Sequence, residues 1–183
     1  MSTTSTQAGT TTYTIDTSHS QVGFSVKHMM FSTVRGNFRG FEGTVVVDND
    51  NPANSRVDVT VDASSVSTGD DKRDEHLRSA DFFDVANFPT ITFKSTGVSF
   101  TSVDDFTING ELTLHGVTAP VVIKAEQTGE GTNPWGVDVA GFEGSTKINR
   151  KDFGLGWNAT LEKGGVLVGE EIKITLEIEV AKQ

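Results

Sequence analysis

Four histidines, His19, His28, His76 and His115, are the side chains best suited to moving protons near neutral pH or to holding a transition metal. They sit in separate segments with no His-x-His and no i,i+4 pair, so zinc would need three of them to converge, and no metal site is expected. Asp70, Asp71, Asp74 and Glu75 read as solvated charges at a helix terminus rather than as a paired acid and base. Cysteine is absent, which removes thiolate nucleophiles, disulfides and cysteine ligands together. There is no Gly-x-Ser-x-Gly elbow, phosphate loop or dinucleotide fingerprint, because the glycines interrupt strands instead of opening helices. The chain reads as a protein that is not an enzyme and needs no cofactor.

The elements that would position any site are strands. Ile172, Ile174, Leu176, Ile178 and Val180 alternate with Lys173, Thr175, Glu177 and Glu179, the period of two of a half-buried strand. Val57, Val59 and Val61 repeat the pattern, as do Ile91 and Phe93. Val22, Phe24 and Val26 share a face that ends in His28. From Val34 the set runs through Gly36 and Phe38, but Phe41, Gly43, Val45 and Val47 lie on the opposite parity, so a register slip is expected near Gly40. The same slip is expected at Gly141, between Val137 and Val139 on one side and Phe142, Thr146, Ile148 and Arg150 on the other.

Asn109-Gly110 is a hairpin signal, yet Phe106, Ile108, Leu112 and Leu114 keep one parity across it, and one strand is the better reading. A turn from His115 to Pro120 then precedes Val121, Ile123 and Ala125. One segment breaks the β pattern: Asp70 to Ala80 predicts a short helix, with Asp74 paired to Arg78 at i,i+4 and Leu77 as its apolar contact. Phe82, Phe83 and Phe88 follow, placed to lay rings across one mouth of a barrel. Including Tyr13 to Asp16, about eight long amphipathic antiparallel strands result, and they close into a barrel or stack as a two-sheet sandwich. Counting does not separate the two, nor a filled interior from a hollow one.

The 183 residues fit one domain, residues 13–183, behind a Ser/Thr-rich tail over residues 1–12. That tail has neither the basic start nor the apolar run of an export signal, and no stretch approaches the ~18 apolar residues of a membrane span, so a cytoplasmic location is expected. A formal charge of −10 repels phosphate backbones and anionic membrane surfaces, which argues against nucleic acid as a partner.

Several segments resemble the YceI-like polyisoprenoid-binding proteins. They are Tyr13-Thr-Ile-Asp-Thr-Ser-His-Ser20 with Val22-Gly-Phe-Ser-Val-Lys-His28, Gly36-Asn-Phe-Arg-Gly-Phe-Glu-Gly43, Arg73-Asp-Glu-His-Leu77, Phe82-Phe-Asp84 and Phe88-Pro-Thr-Ile-Thr-Phe93. Gly110-Glu-Leu-Thr-Leu-His-Gly-Val-Thr118, Ile148-Asn-Arg-Lys-Asp-Phe-Gly154 and Val168-Gly-Glu-Glu-Ile172 continue the series in order. The resemblance implies an all-β, eight-stranded antiparallel, lipocalin-like barrel with one short helix insert. It further implies a long apolar cavity for an isoprenoid lipid or isoprenoid quinone, carried, stored or held protectively.

Such a tail needs only apolar surface to bury. The inward rows supply Val22, Phe24, Val26, Phe38, Phe41, Val45, Val59, Ile91, Phe93, Phe106, Ile108, Leu112, Leu114, Val139, Phe142, Ile148, Ile174 and Leu176. His28 and Arg150 are polar residues on apolar parities at strand ends, placed to meet a lipid head group, with Trp157 and Asn158 near the same mouth. The bland readings are that Arg150 faces solvent or pairs with Asp152, and that His28 bonds backbone. An alternative function is an enzyme on an isoprenoid-type substrate with His28 as base; a third is a barrel plugged by its own side chains. The sequence leaves the oligomeric state open, a homodimer included.

Overall fold

The structure, a computed structural model, describes residues 9–183. Eleven strands make eight staves, because three staves are each broken once. β1 (Thr10–Ile15) and β2 (Gln21–His28) are halves of the first, separated by the 3-10 turn Thr17–His19. β3 (Ser32–Phe38) and β4 (Phe41–Asp48) form the second, broken at Arg39 and Gly40. β5 (Arg56–Asp62) and β6 (Val66–Ser67) form the third, broken by the 3-10 turn Ala63–Ser65. β7 (Thr90–Phe100), β8 (Asp105–Leu114), β9 (Val117–Thr132), β10 (Asp138–Asn149) and β11 (Val168–Lys182) complete the wall, each antiparallel to the next.

Closure comes from β11, which pairs with β1 through Ile15 and Val180 and with β2 from Val26 opposite Ile172 to Gln21 opposite Glu177. The expected eight-stranded antiparallel barrel is therefore what forms, and the sandwich is not. β1 begins at Thr10, inside the segment expected to be tail; residues 1–8 of that segment lie outside the described residues. Threonine suits a strand as well as it suits a loop, so composition did not mark the boundary.

The three breaks lie side by side and form one crease across neighbouring staves. Arg39 N–H donates to the Ser65 carbonyl at 3.3 Å, and Asp62 N–H to the Gly40 carbonyl at 2.8 Å. The slip near Gly40 thus occurs where expected, as a break between strands. Asp16 and Asp62 open the two 3-10 turns in the same way, each accepting from the N–H two residues on, at Ser18 and Ser64. The other slip falls at the expected level, beside Gly141, but on the facing strand. β10 keeps unbroken register with β11 from Val139 to Asn149, and the irregularity is on β9, where Thr128 is the extra residue between the Gly129–Gly141 and Gln127–Phe142 pairs.

The turn after β8 is only His115 and Gly116, both at positive φ, and Pro120 lies within β9 opposite Glu111. Proline is tolerated there because the β9–β10 ladder ends at Lys124 and Ser145, leaving β9 paired on one side only. The gap is a hollow of about 270 Å³ between Ala119–Val122 and Thr146–Asn149.

The helix α1 (Asp71–Arg78) forms as predicted, with Asp70 capping Arg73 N–H at 3.0 Å. Its charges are not arranged as predicted. Asp74 is buried and accepts from Thr68 N–H at 2.8 Å and the Thr68 hydroxyl at 2.6 Å, while Arg78 donates to the Ser64 carbonyl at 2.8 Å. Leu77 packs on Phe38, Val61 and Val66, as the apolar contact of the helix should.

Candidate functional site

Directly opposed residues in antiparallel strands share a face, so the registers fix what points inward. Val22, Phe24 and Val26 oppose Leu176, Ile174 and Ile172; Phe41 opposes Val61; Val59 opposes Phe93; Ile108 opposes Ile123. These rows carry nearly all of the predicted lining. Inward positions absent from the predicted lining include Ile15, Val98, Val121, Ile123, Ile172 and Ile178, of the same alternating rows.

Burial along these rows is uneven. Towards the helix end, Phe38, Phe93, Leu112, Leu114 and Ile148 are packed, with Phe153 and Leu155 from the segment after β10. Phe83 bridges the two clusters and meets Phe38 edge-on at 5.6 Å. Val22, Phe24, Phe41, Val59, Ile91, Ile108, Ile174 and Leu176 pack against these clusters yet stay only half-buried, as do the inward Val26, Val45, Phe106 and Phe142, although the wall closes around them. At the far end Phe106 stands 5.4 Å from Phe100 and 6.0 Å from Phe142. A separate hollow of about 430 Å³ lies over Gly43 and is walled largely by the outward-facing Glu42, Thr44, Asp58, Thr60, Thr92 and Lys94.

Val139 is corrected: with β10 in unbroken register it shares its face with Ala181 and points away from the row of Phe142 and Ile148. Arg150 is also corrected. It is 2% exposed, and its guanidinium donates to the carbonyls of Gly169 (2.8 Å), Leu155 (2.6 Å), Trp157 (2.8 Å) and Val168 (3.3 Å). It faces neither solvent nor Asp152, and it is spent on clamping residues 155–157 to the start of β11. Desolvation pushes its pKa down, and the nearby Glu170 carboxylate opposes that shift.

Trp157, half-buried, meets His76 edge-on at 4.8 Å and the tilted ring of Phe82 at 5.2 Å. Asn158 pairs with the backbone of Val168 in both directions, at 2.7 and 3.0 Å. His28, half-buried, ends β2 opposite Ser32 and Val168. Among the described residues no carboxylate hydrogen-bonds or ion-pairs with its ring. His76 bonds Asp81 at 2.8 Å, and His115 lies 3.2 Å from the Phe153 carbonyl.

One constellation was not foreseen, because its third member is 160 positions away in the chain. Asp16, His19 and Glu179 bring one ligand-type atom each to within 4.8 Å of one another at the break between β1 and β2. The Ser18 hydroxyl and His19 hold the Asp16 carboxyl down at about 2, and the Asp16 bond at 2.8 Å raises the His19 pKa above 6.5. A depressed Asp contributes stability above its ordinary 3.8 and loses it as pH falls through about 2; a raised His contributes below 6.5 and loses it as pH rises through its folded value. Both act together between roughly pH 4 and 6.5, weakly, since the His19 ring is 64% exposed. Asp16→Asn is expected to bring the NMR titration midpoint of His19 down towards 6.5, and an unmoved midpoint would refute the pairing.

The profile of the YceI-like domain matches residues 13–180. A UPF0312 protein from Azotobacter vinelandii is 42% identical over 179 residues, covering 97% of this chain and 90% of that protein. Protein YceI of Salmonella newport is 41% identical over 165 residues, covering 90% and 83%. Among solved structures, a polyisoprenoid binding domain from Saccharophagus degradans superposes with a TM-score of 0.68 at 14% identity, covering 93% of this chain and 98% of that one. No helix among the described residues is long and apolar enough to cross a membrane. The matched span, the identity to YceI and the closed eight-stave wall place this chain in the YceI-like family.

Proposed function

We propose that the protein binds the tail of a polyisoprenoid lipid, a quinone or a polyprenyl chain, inside the barrel, as a carrier or store and without chemistry on it. The observation that carries this reading is the half-burial of Phe24, Phe106, Phe142, Ile174 and Leu176 on the inner face of a closed wall. Inward apolar side chains in a filled barrel are covered by their neighbours; these are left to be covered by a guest. A tail that removes roughly 400 Å² of apolar surface from water gains about 10 kcal/mol before the costs of association, enough for tight binding with no polar contact. The Saccharophagus domain, described as polyisoprenoid-binding, is consistent with that ligand class.

The head group is better neutral than anionic. Arg150 is occupied by carbonyls, the chain carries −10, and the lumen rows add no second cation at the His28 end. A quinone therefore suits this site better than a pyrophosphate. Organic extraction of the purified protein followed by mass spectrometry is expected to release an isoprenoid species, and the stripped protein to take up a long-tailed quinone. A protein that releases no lipid and takes up neither quinone nor polyprenol would overturn the proposal.

A further inference from the structure

The hairpin joining β2 to β3 ends in Met29, Met30 and Phe31, which are 36%, 66% and 74% exposed. Three consecutive apolar side chains at a solvent-facing tip find no core there. Met29 and Met30 also sit at φ of 52° and 70°, the left-handed region that glycine occupies with least strain, in a chain that places nineteen glycines elsewhere. The turn is nonetheless held in place, with Met29 N–H donating to the Leu167 carbonyl at 2.8 Å and Phe31 N–H to the His28 carbonyl at 3.3 Å. Large apolar side chains are thus kept where glycine or asparagine would relieve strain and solvate better.

Charge gives the tip a partner. From Thr17 to Phe41 there is no Asp or Glu, while Lys27, Arg35 and Arg39 are exposed on β2, on β3 and just after it, in a chain whose total is −10. Lys27 stands beside the tip, bonded to the Thr33 hydroxyl at 3.0 Å. The acids at the neighbouring start of β11, Glu170 and Glu171, are paired with Lys151 and Lys147, so Lys27 beside the tip and Arg35 further along β3 give the apolar point a cationic flank that matches an anionic lipid surface: the ring and thioethers enter the acyl boundary and the cations meet head groups. The tip is also continuous with the inner face, since His28, Val26 and Phe24 lead from it along β2 into the tube.

We infer that the Met29–Phe31 tip docks on the surface of an anionic bilayer, bringing the His28 end of the barrel against the membrane. The inference does not depend on what the lumen holds, so it is tested with stripped protein and vesicles free of quinone. Sedimentation with phosphatidylcholine vesicles is compared with sedimentation with vesicles containing about one third phosphatidylglycerol, at low and high salt. Binding is expected to the anionic vesicles, to weaken at high salt, and to fall roughly tenfold in Met30→Asn with Phe31→Ser. Lys27→Gln with Arg35→Gln, which leaves the turn intact, is expected to remove the preference for phosphatidylglycerol. Met30→Asn alone is expected to raise Tm while lowering vesicle binding, a pairing that general misfolding does not produce.

Absence of vesicle binding at low salt, or equal binding by the tip variant, would overturn the inference. So would a tip variant that dissociates a dimer, since a second copy would then be the occupant. Quinone uptake in detergent solution is expected to be unchanged in the tip variants, which separates failure here from failure of the lumen reading.

Discussion

Arg150→Met is expected to lower Tm by roughly 10 °C. The guanidinium is 2% exposed and satisfies four carbonyls from two separate segments, residues 155–157 and 168–169. Methionine fills a similar volume but takes this donor from the carbonyls of Leu155, Trp157 and Gly169, while Val168 keeps Asn158, at about 1–3 kcal/mol for each that water does not reach. Partial hydration brings the total to about 3–5 kcal/mol, and a domain of this size loses ~2–4 °C per kcal/mol. Arg150→Lys keeps the charge but cannot span carbonyls on two sides from one ammonium, so an intermediate loss is expected. Calorimetric melts of the three proteins check this, and a fall of less than about 3 °C for Arg150→Met would show that the clamp is dispensable.

Gly144→Phe is expected to cut isoprenoid binding about thirtyfold with little change in Tm. Gly144 faces inward opposite Leu176, and a Cβ there would stand 3.3 Å from Ile123 Cγ2 and 3.6 Å from Leu176 Cδ1, side-chain atoms that can yield. A ring at this position projects into the tube and denies the tail about 80 Å² of contact, about 2 kcal/mol and a factor of roughly 30 in Kd. Glu143→Phe places the same ring one residue away on the outer face and should bind as the unaltered protein does. Titration of a fluorescent long-chain quinone analogue into all three separates the outcomes; equal affinity for Gly144→Phe would mean that the tail does not pass this level of the barrel.

The wall was legible in the sequence because burial on one face writes itself as alternation, and Ile172 to Val180 declares both a strand and its inner face. The crease was half legible. The parity change around Gly40 marked one break, and Asp-x-Ser at Asp16 and Asp62, the signature of a side chain capping a tight turn, marked the other two without being read. Val139 was misplaced because the bulge sits on the partner strand at Thr128, an exposed residue whose polarity does not report a skipped pairing. Asp74 and Arg78 carry the spacing of a surface ion pair, but the half-buried Thr68 hydroxyl takes the buried carboxylate in place of the guanidinium. Arg150 could not be assigned from sequence at all, since its four partners are backbone carbonyls, which every residue owns.

The seam between β11 and the first stave joins the beginning of the described chain to its end, with Tyr13 opposite Lys182. The pairings among the earlier staves can form as each is made, whereas both pairings of β11, with β10 and across this seam, wait for β11 to emerge. Until β11 is in place, the wall is a curled open sheet with two bare edges and no enclosed interior, and it is most at risk of edge-to-edge aggregation just before it seals.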